Sequence, residues 1–187
     1  MILCTGFYNR SNLGDDIFQI IFSSIFTKLK LKYNLFCLDD CKQIPSDTTT
    51  IILGGGEILN KYFLEKLQKL CEISKFTGKI IAYSCELPVG DIIKEVNMID
   101  WFILRNINDV KRLKNHFNSE KFIEYIPDIV FSLNKNDFIT KSNDNKKIVT
   151  VCLARTIYKG NEHYKHYLNK IVLFLQFIYK QGYSIYL

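Results

Sequence analysis

Two carboxylates stand side by side in "SNLGDDIFQIIF", residues 11–22, after a glycine and before a long apolar run. Asp15 and Asp16 fall where a first strand hands over to a first helix. Two kinds of chemistry suit them there. The first-turn N–H groups of a helix lack partners and carry the positive end of its dipole, so Asn12 or Asp15 can be the N-cap and Asp16 sits favourably. An acid at that place can also accept a bond from a ligand hydroxyl, while Gly14 permits a close turn and the helix start offers N–H groups to a ligand oxygen. Both roles can hold together.

A second constellation is "IILGGGEILN", residues 51–60. Gly54, Gly55 and Gly56 follow a fully apolar strand, where open sheets bind ligands outside their carboxyl ends. Glu57 then stands at the mouth of that crevice. The third is a pair of arginines, Arg105 in "WFILRN" and Arg155 in "VCLART", in a chain with only two others, Arg10 and Arg112. A guanidinium presents a planar fork to carboxylate or phosphate. For Arg105 the alternative is an ion pair with a loop acid such as Asp128. His163 and His166 read as solvated helix positions, and "AYSCELPVG" around Ser84 and Cys85 is not a G-x-S-x-G elbow.

The elements that must position these groups alternate between short apolar strands and segments of helical period. "MILCTGFY", "NLFCLDD", "TTTIILGGG", "KIIAYSCEL" and "WFILR" read as strands, with a further short one inside "FIEYIPDIVFSL". "DIFQIIFSSIFTKLKLK", "LNKYFLEKLQKLCEISKFTG" and "INDVKRLKNHF" read as helices, the second stopping at Gly78 and the third capped near Asn108 or Asp109. This rhythm predicts an α/β fold: a Rossmann-like parallel sheet sandwiched by helices over residues 1–133. Residues 134–147, polar and rich in Asn and Lys, read as a linker. Residues 148–187 give strand, helix and strand again, the first βαβ unit of a second α/β domain that is truncated.

The chain has 187 residues, 48% of them hydrophobic, and a formal net charge of +6. Its lysines are scattered and alternate with leucine, which argues against a nucleic-acid partner. Of the cysteines, Cys4, Cys37 and Cys152 fall in strands as small core residues, and only Cys37 and Cys41 are close neighbours. No zinc spacing is present, so no metal is expected and the thiols read as reduced. Without a signal-peptide pattern or a bilayer-length apolar run, the expectation is a cytoplasmic protein with no membrane insertion. Neither G-x-G-x-x-G nor a P-loop occurs, which removes the main support for a dinucleotide or nucleotide cofactor.

Taken in order, the motifs resemble the polysaccharide pyruvyl transferase family. Its N-x-G-D-[DE] element is matched by Asn12, Gly14, Asp15 and Asp16, and its strand ending in three glycines by Gly54–Gly56. "ILRNINDVKRL" resembles its later strand ending in arginine, Asp128, Phe131 and Leu133 match D-x-x-F-x-L, and "VTVCLAR" resembles the start of its second domain. Glu86 and Asn106 depart from the pattern. The resemblance implies a GT-B-like two-domain arrangement and transfer of pyruvate from phosphoenolpyruvate to two sugar hydroxyls as a cyclic ketal. It implies catalytic roles for Asp15, Asp16 and Arg155, with Arg155 on the donor's anionic groups. Asn12, Gly14, Gly54, Gly55, Gly56, Glu57 and Arg105 would bind substrate. The donor is a substrate and no cofactor is implied; the partner is a sugar or polysaccharide acceptor. A homo-oligomer or a complementing C-terminal half would complete the second domain. The alternatives are a GT-B nucleotide-sugar glycosyltransferase, or a shortened, non-catalytic carbohydrate-binding relative.

Overall fold

The computed structural model describes residues 1–10, 12–118, 120–132, 148–150 and 162–186. The 134–147 linker, Leu133 and Arg155 lie outside them. The chain divides into two compact units, Met1–Asn134 and Lys135–Leu187.

In the first unit β1 (Ile2–Gly6), β2 (Tyr33–Cys37), β3 (Thr50–Gly54), β4 (Lys79–Cys85), β5 (Trp101–Leu104) and β6 (Phe122–Tyr125) form one sheet in the order β2-β1-β3-β4-β5-β6. Every neighbouring pair is parallel. The helices are α1 (Leu13–Lys28), α2 (Lys61–Ile73) and α3 (Ile107–Phe117). This is an α/β, Rossmann-like fold. Parallel strands need cover on both faces because each crossover lays a helix on one of them. Alternate residues of the strands accordingly feed two cores. Ile51, Leu53, Ala82, Phe102 and Leu104 pack with Leu64 and Leu67 of α2 and Leu113 of α3. Cys4 and Ile52 face the other way, onto Phe18, Ile21, Phe22 and Phe26 of α1. The α1 residues recur at helical spacing and form its one apolar stripe.

Helix ends differ from the sequence expectation in instructive ways. α2 stops at Ile73, before Gly78. Lys75 takes the left-handed conformation at φ +50°, Phe76 N–H donates to the Cys71 carbonyl at 2.9 Å, and Lys75 N–H to Glu72 at 3.2 Å. That is a Schellman ending built on lysine. α1 ends in the same way, with Lys30 at φ +55° and Leu31 N–H donating to Phe26 O. Gly78 serves a different need, since a Cβ there would lie 2.2 Å from the Thr49 carbonyl oxygen. The cap of α3 is Asn106, whose side chain accepts from Asn108 N–H, not Asn108 or Asp109. Asp109 is instead buried and accepts from Leu87 N–H at 3.0 Å.

In the second unit β7 (Ile148–Thr150) pairs in parallel with β8 (Ser184–Tyr186), and α4 (Glu162–Lys180) lies between them in sequence. Among the described residues no helix is long and apolar enough to cross a membrane.

The strand order reverses at β1: the chain goes outward to β2, then returns to β3 on the other side. Loops leaving the carboxyl ends of β1 and β3 therefore diverge, and such a switch point opens a crevice. Both glycine-containing motifs leave the sheet there.

Candidate functional site

Beyond β1, α1 begins with Asn12 as N-cap, its Oδ1 accepting from Gly14 N–H at 3.2 Å. The twin acids then part company. Asp16 turns back on its own loop, where Oδ1 accepts from Asn9 N–H at 2.6 Å and from Gln19 Nε2 at 3.4 Å. It is a loop tether. Asp15 turns inward and is only 8% exposed. Asn12 Nδ2 donates to its Oδ2 at 2.5 Å, while Oδ1 accepts no hydrogen bond among the described residues and faces Gly56. Burial pushes the Asp15 carboxyl above its ordinary 3.8; Arg105 pulls it down and Asp16 adds to the rise. A carboxylate with one oxygen fixed, the other free and its proton affinity raised has the attributes of a general base.

Each of the three glycines has its own structural reason. A Cβ on Gly54 would meet the Phe22 ring at 2.4 Å, and Tyr8, fully buried, donates its hydroxyl to the Gly54 carbonyl at 3.1 Å. Gly55 and Gly56 have φ of +91° and +58°, which side chains disfavour. A Cβ on Gly56 would also lie 2.9 Å from Asp15 Oδ1. The triplet thus lets the β3 loop close over the acid. Glu57 follows on the rim, exposed to solvent, with its backbone carbonyl held by Asn60 Nδ2.

The opposite wall is an ion-pair network. Arg105 donates from Nε to Glu86 Oε1 at 2.9 Å and from Nη1 to Asp128 Oδ2 at 2.5 Å. Arg105 therefore takes up the ion-pair alternative that its sequence position left open, with Glu86 as an additional partner. Asp128 is itself held: its Oδ1 accepts from Ser84 Oγ at 3.2 Å and from Val130 N–H at 3.1 Å. Ser84, fully buried, is a β-bulge residue at φ +55° where the β4–β5 register slips between Tyr83 and Cys85. Its hydroxyl also accepts from Ile129 N–H.

Asn12, Gly14, Asp15, Gly56, Glu57 and Arg105 all border one cavity of about 450 Å³, whose lining also includes the exposed Phe131. Gly54 is buried at the end of β3 and Gly55 lines an adjoining chamber. Asp16 does not border the cavity, and Arg155 lies outside the described residues. Sequence reasoning did not find Phe7, Phe18 and Phe63 as lining residues, because their periodicity reads as core. A positional signal did exist: in a βα unit the first helical turn sits beside the strand's carboxyl end, and Phe63 is in the first turn of α2. Among the described residues no cluster of three or more His, Cys, Asp or Glu could hold a metal ion.

No family model and no curated protein matches this chain. A crystal structure of a functionally uncharacterized protein from Klebsiella pneumoniae subsp. pneumoniae NTUH-K2044 is similar in fold, with a TM-score of 0.55 at 19% identity. The match covers 81% of this chain and 60% of that one, so the chain spans less than two thirds of that protein's length. Likeness at this identity speaks to the fold.

Proposed function

We propose that the crevice at the β1–β3 switch point is the acceptor site of a sugar-modifying transferase resembling the polysaccharide pyruvyl transferases. The observation that carries the reading is Asp15: nine-tenths buried, anchored through one oxygen by Asn12, and open through the other to the cavity. A hydroxyl placed against Oδ1 would give up its proton there as it attacks.

The charge of this wall supports an acceptor there rather than the donor. Four carboxyl groups, of Asp15, Glu57, Glu86 and Asp128, border the cavity or its guanidinium, and Arg105 already spends its fork on two of them. A neutral polyhydroxylated ligand fits such a site, while a donor with carboxylate and phosphate would be repelled by it. For the donor's anionic groups the resemblance points to Arg155. In the reaction the enol carbon of phosphoenolpyruvate takes a proton, and a sugar hydroxyl bonds to the adjacent carbon as Asp15 accepts its proton. The carbon–oxygen bond to phosphate then breaks, and a second hydroxyl closes the ketal. One hydroxyl proton replaces the one given to the methyl carbon, and the other leaves with phosphate.

The test is mass spectrometry of sugars incubated with the protein and phosphoenolpyruvate, beside a parallel incubation with nucleotide sugars. A mass gain of one pyruvate ketal with release of phosphate, abolished in Asp15→Asn, is expected. Glycosyl transfer, or ketal formation untouched by Asp15→Asn, overturns the reading.

A further inference from the structure

The Asp15 cavity is not the whole crevice. On its other flank lies a smaller chamber of about 240 Å³ that shares Asp15, Gly56 and Glu57 with it. Its lining includes two aromatic rings and Ile58. Phe7, from the loop after β1, and Phe63, in the first turn of α2, stand edge to face with centroids 5.7 Å apart. Both rings are partly exposed, Phe63 while also packing against the core. Phe63 also meets the ring of Tyr62 edge to face at 5.0 Å, and the Tyr62 hydroxyl donates to Asp39 at 2.9 Å. Asn60 at the rim has both ends of its amide engaged, donating to Glu57 O and accepting from Phe63 N–H, so the chamber edge is fixed.

A chamber lined by Phe7, Phe63 and Ile58 together with the carboxyl groups of Asp15 and Glu57 suits a ligand that is apolar on a face and rich in hydroxyl donors at its edge. A hexopyranose has that character: its ring face presents C–H bonds and its periphery presents O–H groups. The shared carboxyl, Asp15, stands where the edge of such a ring would meet the larger cavity. We propose that the chamber is a subsite for one neutral hexopyranose ring of the acceptor, lying against Phe7 and Phe63 with hydroxyls toward Asp15 and Glu57. This rests on the acceptor reading given above and adds to it: the acceptor enters as a ring, its face held on one side of Asp15 while its reacting edge points to the other. Uronic acids are disfavoured, because their carboxylate would meet Asp15 and Glu57.

The experiment is saturation-transfer NMR on the full chain without phosphoenolpyruvate. Its probes are the methyl glycosides of galactose, glucose and mannose, with galacturonate and inorganic phosphate as anionic controls. At least one neutral glycoside is expected to receive saturation on its ring C–H protons when aromatic protons are irradiated. Phe63→Leu and Phe7→Leu keep an apolar side chain but lose the flat face, and each is expected to weaken that glycoside about fivefold, equivalent to about 1 kcal/mol. Fluorescence of the single tryptophan checks folding, and if one variant misfolds the other decides. Absence of transfer to all three glycosides, equal binding by both folded variants, or galacturonate binding as tightly as the neutral sugars overturns the subsite. Ketal formation with unchanged sugar affinity in the variants sinks the subsite alone; glycoside binding at the rings without ketal formation sinks the transferase reading alone.

Discussion

Replacing Asp128 by alanine removes the acceptor of three hydrogen bonds at once: from Arg105 at 2.5 Å, Ser84 at 3.2 Å and Val130 at 3.1 Å. The side chains of Arg105 and Asp128 are 23% and 21% exposed, enough for water to recover part of the loss. A charge-assisted bond is worth about 1.5–3 kcal/mol and each neutral one about 1 kcal/mol. With that recovery, Asp128→Ala should cost about 3 kcal/mol. Asp128→Asn keeps an oxygen for Ser84 and Val130 but turns an amide toward a cation, and should cost about 2 kcal/mol on the same scale. Urea unfolding followed through Trp101, the one tryptophan of the chain, reads both directly. The midpoint should fall while the slope stays the same. Adding Arg105→Met to Asp128→Ala should restore part of the loss, because the second change withdraws a cation left with Glu86 alone. If Asp128→Ala unfolds within about 0.5 kcal/mol of the parent, the range of ordinary surface substitutions, the network does not hold this wall and the reasoning fails.

Two further outcomes follow from the acid and the loop above it. Gly56→Ala places a side chain at φ +58° and 2.9 Å from Asp15 Oδ1, and should cost about 1–2 kcal/mol by thermal melting, with any ketal-forming activity falling further than stability. Asp15 has its pKa raised in the fold, so its proton favours the native state. Its contribution is fullest below the ordinary value of 3.8 and is lost as pH rises through the folded value. Asp15→Asn, neutral throughout, should therefore gain stability relative to the parent as pH is raised from below 3.8 to neutrality. A constant difference in unfolding midpoint across that range would refute the assigned burial of charge.

The strand and helix order of the first unit was legible because its parallel strands are nearly unbroken apolar runs and its helices carry single apolar stripes, as Phe18, Ile21, Phe22 and Phe26 do. Ends were less legible. Lysines at positions 30 and 75 supply the left-handed turns that glycine usually marks, and Gly78, the expected stop, answers instead to the close approach of Thr49. At the site, adjacency in sequence hid a division of labour: Asp15 and Asp16 share a motif, but one helical step of about 100° sends one into the crevice and the other onto its own loop. The partners of Arg105 come from two different strand-end loops. Asp128 was a natural candidate, whereas Glu86 is brought within reach by sheet register, which no local pattern announces. Phe7 and Phe63 meet only because β1 and β3 are neighbours, a fact of topology.

The bulge at Ser84 has an evolutionary corollary. Ala82 pairs with Phe102 and Cys85 with Leu104, and all four side chains enter the same core, so the ladder on either side keeps in step as though residue 84 had been spliced in. Such an insertion adds a hydroxyl anchor for the 128–130 segment without reversing which neighbours point inward. A lineage could gain or shed this anchor by a single codon while the sheet carries on undisturbed, so the wall of the crevice can be retuned independently of the scaffold beneath it.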